Sequence, residues 1–160
     1  MSLSRLGAQS YSFREFDLAG TIVCMQRLGL TEIEYCGVHF KPDADAPEFA
    51  AIERTLLDAP LDVSCFGVEA FTADFDVNRR KFDFAEALGI GILTADPAPD
   101  SFDGLEELCD EFQIQVAIHN HGPGARYDKA QDTLNALKNR HLFIGACVDT
   151  GHVIRSGEIP

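Results

Sequence analysis

The sequence contains no hydrophobic run of about 18 residues, the length that a membrane-spanning helix needs, so no membrane span is predicted. Its first residues, MSLSRLGAQSYSF, also lack the apolar stretch of a secretory signal. The cysteines are five, an odd number, and none forms a CxxC pair. Most of them lie in apolar runs, which is typical of ordinary core thiols. We therefore expect a cytoplasmic protein with no membrane partner.

Basic residues are scarce: 13 Lys and Arg stand against 26 Asp and Glu, and the net charge is −13. Because binding to duplex DNA requires a cationic surface, nucleic acid is not an expected partner. A glycine-rich phosphate-binding motif is also missing. The stretch GAQSYSFREF is not G-x-G-x-x-G, so a dinucleotide-binding fold is disfavoured.

A repeated order of helix followed by strand is present instead. In MQRLGLTEIEYCG and AEALGIGILTADP, a glycine suited to ending a helix precedes a short apolar run suited to a buried strand. We predict strands at 6–13, 31–36, 61–68, 90–95, 114–119 and 143–149, with helices at 16–29, 46–58, 75–88, 101–112 and 128–139. Units of close to 30 residues predict a single α/β domain over 1–160, of the (β/α) TIM-barrel type with parallel strands.

The chain is short for that fold, because an eight-stranded barrel needs at least about 200 residues. The pattern supplies six of the eight βα units, and no helix is predicted after the sixth strand. Six strands would leave two open edges, which invite pairing with another chain. Two explanations stay open: a homo-oligomer covers these edges, or the sequence is an incomplete barrel. We favour the incomplete barrel.

The fifth predicted strand, in VAIHNHGPGARYD, ends with two histidines. Alternate residues of a strand point to opposite faces. Val116 and Ile118 are expected to face the helices with Asn120, so His119 and His121 face the barrel interior. The alternative is that both are hydrogen-bonded histidines at a strand end.

Acidic residues end other strands in the same way. Glu34 of the second strand and Asp149 of the sixth are expected to face inward, and Asp96 ends the fourth. Barrel enzymes carry their active sites at the C-terminal ends of the strands, and a divalent metal would satisfy inward imidazole and carboxylate groups. Asp149 could instead cap the turn DTGH. His152 remains open among metal ligand, substrate contact and surface residue.

Basic residues are expected on the loops that follow the strands. Arg14, Lys41, Arg126 and Lys129 are candidates to bind a substrate phosphate, and solvated surface charge is the alternative for each. Among them we assign Arg14, together with Asp96, to substrate binding.

These stretches resemble a known group of proteins. LGAQSYSFRE, IEYCG, TADP, VAIHNHGPG and IGACVDTGHVIRSGEIP resemble, in this order, the sugar phosphate isomerase/epimerase-like proteins of the xylose isomerase-like TIM-barrel superfamily, which also includes endonuclease IV (the AP endonuclease family 2-like proteins). The resemblance implies a metal-dependent protein that acts on a sugar or sugar phosphate. It implies metal ligands at His119 and Asp149 and an acidic site residue at Glu34. It also implies that His152 contacts either the substrate or a metal ligand.

The chain departs from the pattern of this group in two respects. Ketose epimerases of this group carry Glu where this chain has His119, and that Glu both binds the metal and transfers a proton. The ligands of the seventh and eighth strands are absent from the chain, and a catalytic site normally needs at least three protein ligands.

The expected chemistry is isomerisation or epimerisation through an enediolate, assisted by Mn, Mg, Zn or Co. Glu34, His121 and His152 are the candidates for proton transfer and hydroxyl contacts. The alternatives are a non-catalytic or truncated barrel fragment with an incomplete metal site and, less favoured, an abasic-site endonuclease.

Overall fold

The computed structural model describes residues 6–160, and they form six strands that alternate with helices. The strands are β1 (Gly7–Gln9), β2 (Glu32–Tyr35), β3 (Asp62–Phe71), β4 (Ile92–Pro97), β5 (Gln115–His119) and β6 (Ile144–Cys147). The helices are α1 (Leu18–Leu28), α2 (Phe49–Leu57), α3 (Phe75–Ala87), α4 (Phe102–Phe112), α5 (Ala130–Ala136) and α6 (Thr150–Arg155). Short 3-10 helices lie at Ser10–Phe13 and Pro99–Ser101. None of the helices described in 6–160 is long and apolar enough to cross a membrane.

The strands form one parallel sheet in the order β1-β2-β3-β4-β5-β6. Sequential parallel neighbours joined by helices are the arrangement of a (β/α) barrel, as the repeat predicts. Within the described residues, β1 and β6 each have one neighbouring strand. The predicted fold class, an α/β barrel with about six of eight units, is confirmed.

The core lies between the sheet and the helices. Phe66 of β3 packs against Phe84 of α3 and against Phe40, with ring centroids 5.0 and 5.4 Å apart. Ile33 and Tyr35 of β2 are fully buried on the same outer face. Burial of one such aromatic side chain stabilises the fold by roughly 1.5–3 kcal/mol. This packing sets which face of each strand is left for the barrel interior.

Two predictions are wrong, one about the first strand and one about the segment after the sixth strand. The first strand is not 6–13, because the chain turns into a 3-10 helix after Gln9, whose side chain accepts the N–H of Tyr11 at 2.7 Å. A helix does follow the sixth strand, because the Asp149 carboxylate accepts the N–H of His152 at 2.7 Å and caps α6. Asp immediately before a helical segment is the signal that could have predicted α6.

Candidate functional site

A cavity of about 820 Å³ opens at the C-terminal ends of the strands. Among its lining residues are charged and imidazole side chains from β2, β5 and the segment just after it, the segment after β6, and α6, namely Glu34, His119, His121, Asp149, His152 and Arg155. The structure thus brings together all five residues predicted to be catalytic or metal-binding. They converge because parallel strands in register end at one level: His119 pairs with Cys147, two residues before Asp149.

Asp149 lies at the centre of this group. Its Oδ2 is 3.7 Å from Nε2 of His119 and 4.0 Å from Nε2 of His152. Its Oδ1 accepts the backbone N–H of His152. Asp149 therefore both caps a helix and faces the cavity, so the two roles considered for it are compatible. One carboxylate oxygen is occupied, and the other is directed at two imidazoles.

Three imidazole rings surround the same space. Ring centroids are 4.6 Å apart for His119 and His121, 5.2 Å for His121 and His152, and 5.8 Å for His119 and His152. The His119 side chain is 14% exposed, and its Nδ1 is buried without a hydrogen-bond partner among the described residues. A buried polar atom without a partner is unfavourable, so this ring is suited to a bound ligand or water.

The protonation states follow from this arrangement. Burial lowers the pKa of His119, the neighbouring His121 lowers it further, and Asp149 offsets only part of that change. Burial by itself would raise the pKa of Asp149, but the N–H of His152 and the adjacent imidazoles lower it overall. A neutral imidazole therefore faces an ionised carboxylate, and these are the forms of both groups that bind metals.

The Glu34 carboxyl of β2 also lines the cavity. Thr94 of β4 donates its hydroxyl to Oε1 of Glu34. Burial raises the pKa of Glu34, and the hydrogen bond from Thr94 counteracts this only in part. A carboxyl group with a raised pKa is suited to exchange a proton with a substrate near neutral pH.

The Glu34→Gln variant should be more stable than the wild-type protein at about pH 8 and should lose this advantage at about pH 4. The folded-state pKa of Glu34 lies above its unfolded value, so the folded state loses stability as pH rises through it. Glutamine cannot ionise and can still accept from Thr94. Urea unfolding at both pH values measures the difference, with exposed Glu107→Gln as the control. An equal effect of Glu34→Gln at both pH values would contradict the prediction.

Asn120 connects β5 to Asp149. Its Nδ2 donates to the Asp149 carbonyl oxygen at 2.9 Å, and its Oδ1 accepts the Asp149 N–H at 2.8 Å. Asn120 faces away from the cavity and is buried, as the strand alternation predicts. Its amide therefore holds the backbone of the central carboxylate in place.

The Asn120→Ala variant is expected to lose about 1–3 kcal/mol of stability, because it leaves the Asp149 N–H without its acceptor, whereas the Asp149 carbonyl oxygen keeps the N–H of Val153. Chemical denaturation followed by circular dichroism measures the loss. Asn135→Ala, which changes an exposed asparagine of α5, should stay within about 0.5 kcal/mol of wild type. If the two variants were equally stable, the support from Asn120 would be refuted.

The structure does not bring the two predicted substrate-binding residues to the cavity. Asp96 pairs with Arg126 at 2.9 Å, and Arg14 packs over the ring of Tyr11 at 4.8 Å. Neither Asp96 nor Arg14 belongs to the lining of the cavity. Lys129 is bonded to the Ser156 carbonyl oxygen. Arg14, Arg126 and Lys129 are thus engaged with protein groups.

Residues that the sequence did not single out do line the cavity. Arg155, the last residue of α6, is among them, and so is Glu69. Glu69 lies within β3, and Lys81 of α3 pairs with it at 2.9 Å, with both side chains about 15% exposed. Glu69 was missed because β3 extends three residues beyond its predicted end. Arg155 was missed because no helix was predicted after the sixth strand.

The donor set can be tested against a divalent metal. Ligand bonds of 2.0–2.2 Å in tetrahedral geometry place ligand atoms about 3.3 Å apart. The His119 Nε2 to Asp149 Oδ2 distance of 3.7 Å is close to that value, so these two atoms fit after a small contraction. Within 6–160, no group of three or more His, Cys, Asp or Glu side chains is arranged to hold a metal ion. Among the described residues, the donor atoms whose separation fits a shared cation are therefore these two.

The similarity of this chain to known proteins is found in solved structures. The sequence matches no protein-family model and no curated protein. Among solved structures it is similar to an uncharacterised protein from Parabacteroides distasonis, with TM-score 0.78 and 26% identity over 98% of this chain. It is also similar to a sugar phosphate isomerase/epimerase from the same organism, with TM-score 0.72 and 15% identity over 99% of the chain. A D-tagatose 3-epimerase-like protein has TM-score 0.67 and 13% identity over 92%.

The chain shares the α/β barrel fold of these solved structures. It spans about two thirds of these three structures, namely 67%, 70% and 65% of their lengths. At 13–15% identity, the similarity to the isomerase and the epimerase-like protein concerns the fold. Function must therefore be argued from the residues of the cavity.

Proposed function

We propose that this chain forms the metal- and substrate-binding part of an isomerase or epimerase that acts on a sugar or sugar phosphate. One observation carries the proposal. The side chains of Glu34, His119, His121, Asp149 and His152 converge on one cavity at the C-terminal ends of the strands. The size of the cavity supports it, since about 820 Å³ is within the range of small-molecule sites.

His119 and Asp149 would hold the divalent cation. When bound, the cation would supply positive charge to stabilise negative charge that develops on substrate oxygens. The ligand atoms are Nε2 of His119 and Oδ2 of Asp149, because the second carboxylate oxygen already caps α6. A neutral imidazole and an ionised carboxylate are available there without the cost of removing a proton.

Proton transfer is assigned to Glu34 and His121, which both line the cavity. Enediolate chemistry requires removal of a proton from a carbon next to a carbonyl group and its return to the same or the neighbouring carbon. Glu34 is suited to hold that proton, because burial raises its pKa and Thr94 orients its Oε1. His121, which is exposed at the cavity, is the candidate for the opposite face of the substrate.

The test is exchange of a substrate proton with solvent. The protein is incubated in D₂O with Mn²⁺ and a set of ketoses and ketose phosphates, and deuterium next to the carbonyl group is followed by NMR. Exchange above the level of heat-unfolded protein is expected for at least one substrate. It should fall by roughly 100-fold or more in Glu34→Gln, the usual scale of general acid–base catalysis. Absence of exchange across the set would refute the isomerase proposal and would leave metal binding to be judged separately.

A non-catalytic binding role is the second candidate. The observation in its favour is that the described residues supply two ligands rather than the three that catalytic sites normally have. In that case the protein would bind the metal or the sugar, and no deuterium would enter the substrate.

A further inference from the structure

Arg155 lies one helical turn after His152 and contacts its ring. Nη1 of Arg155 is 3.1 Å from Nδ1 of His152, and both residues line the cavity. The backbone of His152 is held at the same time, because its N–H donates to Asp149. The ring is therefore restrained at two points, by its own backbone and by the guanidinium.

The chemistry of arginine decides the direction of this contact. A guanidinium group has N–H donors and no acceptor, and it stays charged at all relevant pH values. Nδ1 of His152 must therefore accept the hydrogen bond through its lone pair. In a neutral imidazole one nitrogen is bare and the other carries the proton, so the proton lies on Nε2.

The two nitrogens of the His152 ring have different surroundings. A Cβ added at Gly122 would lie 3.2 Å from Nδ1, so the backbone of the loop after β5 closes that side of the ring. Nε2 is directed toward Oδ2 of Asp149 at 4.0 Å, a distance too long for a direct hydrogen bond. The Nε2 proton is thus available to an oxygen atom that enters between them.

We infer that Arg155 is a positioning residue that fixes the tautomer of His152, so that His152 presents Nε2–H to the cavity as a hydrogen-bond donor. This inference rests on the proposed function for its meaning in catalysis. There, His152 donates a hydrogen bond to a substrate hydroxyl or carbonyl oxygen, and the transfer of carbon-bound protons is left to Glu34 and His121. For His152, the sequence left open the roles of metal ligand, substrate contact and surface residue. The inference selects a contact with a substrate oxygen.

The experiment is ¹⁵N NMR of the histidine-labelled protein, without substrate, at about pH 8, where an ordinary histidine is mostly neutral. In the wild-type protein the His152 ring should show a protonated Nε2 and a bare Nδ1. In Arg155→Met the ratio of the two tautomers should fall by about two- to fivefold, the scale expected when a solvent-exposed contact from a charged donor is lost. His152→Gln identifies the signals.

Two controls separate the tautomer effect from unfolding. The Nε2 of His39 lies 3.1 Å from the Ser10 carbonyl oxygen, so its proton is held independently of Arg155 and its signals should not change. Arg54→Met removes an exposed guanidinium of α2 and should leave His152 as in wild type.

A proton on Nδ1 of His152 in the wild-type protein would overturn the inference. This spectrum is recorded on the wild-type protein, so the test does not depend on whether the variant folds. An unchanged tautomer ratio in a folded Arg155→Met protein would overturn it as well. Because the spectra are recorded without substrate, failure of the isomerase proposal in the exchange experiment is a separate result.

Discussion

The Asp149→Asn variant is expected to lose binding of a divalent cation while it keeps the fold. The amide lacks the negative charge of the carboxylate, so the cation would lose one of the two ligands proposed for it. Changes to groups that merely support a ligand reduce metal affinity by about 10–100-fold, and removal of the ligand itself should cost at least about 100-fold. Isothermal titration with Zn²⁺ or Mn²⁺ measures this loss.

Asn and Ala at position 149 separate metal binding from helix capping. Asn is as good an N-cap as Asp, so Asp149→Asn should unfold near the wild-type midpoint. Asp149→Ala loses the cap of α6 as well and should cost about 1 kcal/mol. Asp58→Ala removes an exposed carboxylate of similar charge and serves as the matched control for both. Stoichiometric metal with wild-type affinity in Asp149→Asn would refute the proposed ligand.

Gly67→Ala is expected to destabilise the fold severely. Gly67 lies in β3 with φ of 153°, and an added Cβ would be 2.2 Å from the carbonyl oxygen and 2.3 Å from the hydroxyl of Thr94. The carbonyl belongs to β4, which pairs with β3, so relief of the clash requires the strands to separate. Overpacking of this kind costs about 1–3 kcal/mol or more, and a strained φ adds about 1 kcal/mol.

Gly91→Ala is the matched control, because Gly91 immediately precedes β4 and an added Cβ would meet no atom within 4 Å. Its stability should stay near that of wild type, since Ala is compatible with open space and an ordinary backbone. Urea denaturation compares the two variants. Gly67→Ala should also weaken the function of Glu34, whose hydrogen-bond donor is the same Thr94 hydroxyl. A Gly67→Ala protein as stable as Gly91→Ala would show that the strands adapt without cost.

The face of each strand was predictable, because the alternation of large apolar residues and polar residues has the period of a strand. Val116 and Ile118 are fully buried, and His119 lies on the other face, toward the cavity. Local order also predicted that His119 and Asp149 lie on or just after neighbouring strands. This much follows from the repeat, since parallel strands in register end at the same level.

The loop cations were not predictable. Arg126 belongs to the loop after β5 and bonds Asp96 at the end of β4, across a separation of 30 residues. Such a pairing depends on how two loops fold over the sheet, and neither loop has a period that shows it. The same holds for Lys81 and Glu69, which meet because α3 packs against the end of β3.

The sequence by itself determined the parallel (β/α) architecture, the inward faces of the strands and the group of acidic and histidine residues at their ends. Each of these depends on periodicity along the chain, which the order of residues contains directly. Only the tertiary structure decided that Asn120 holds the backbone of Asp149 and that Arg126 bonds Asp96. These contacts depend on distances of a few ångströms between segments, and such distances exist only after the strands have taken their register and the helices have packed on them.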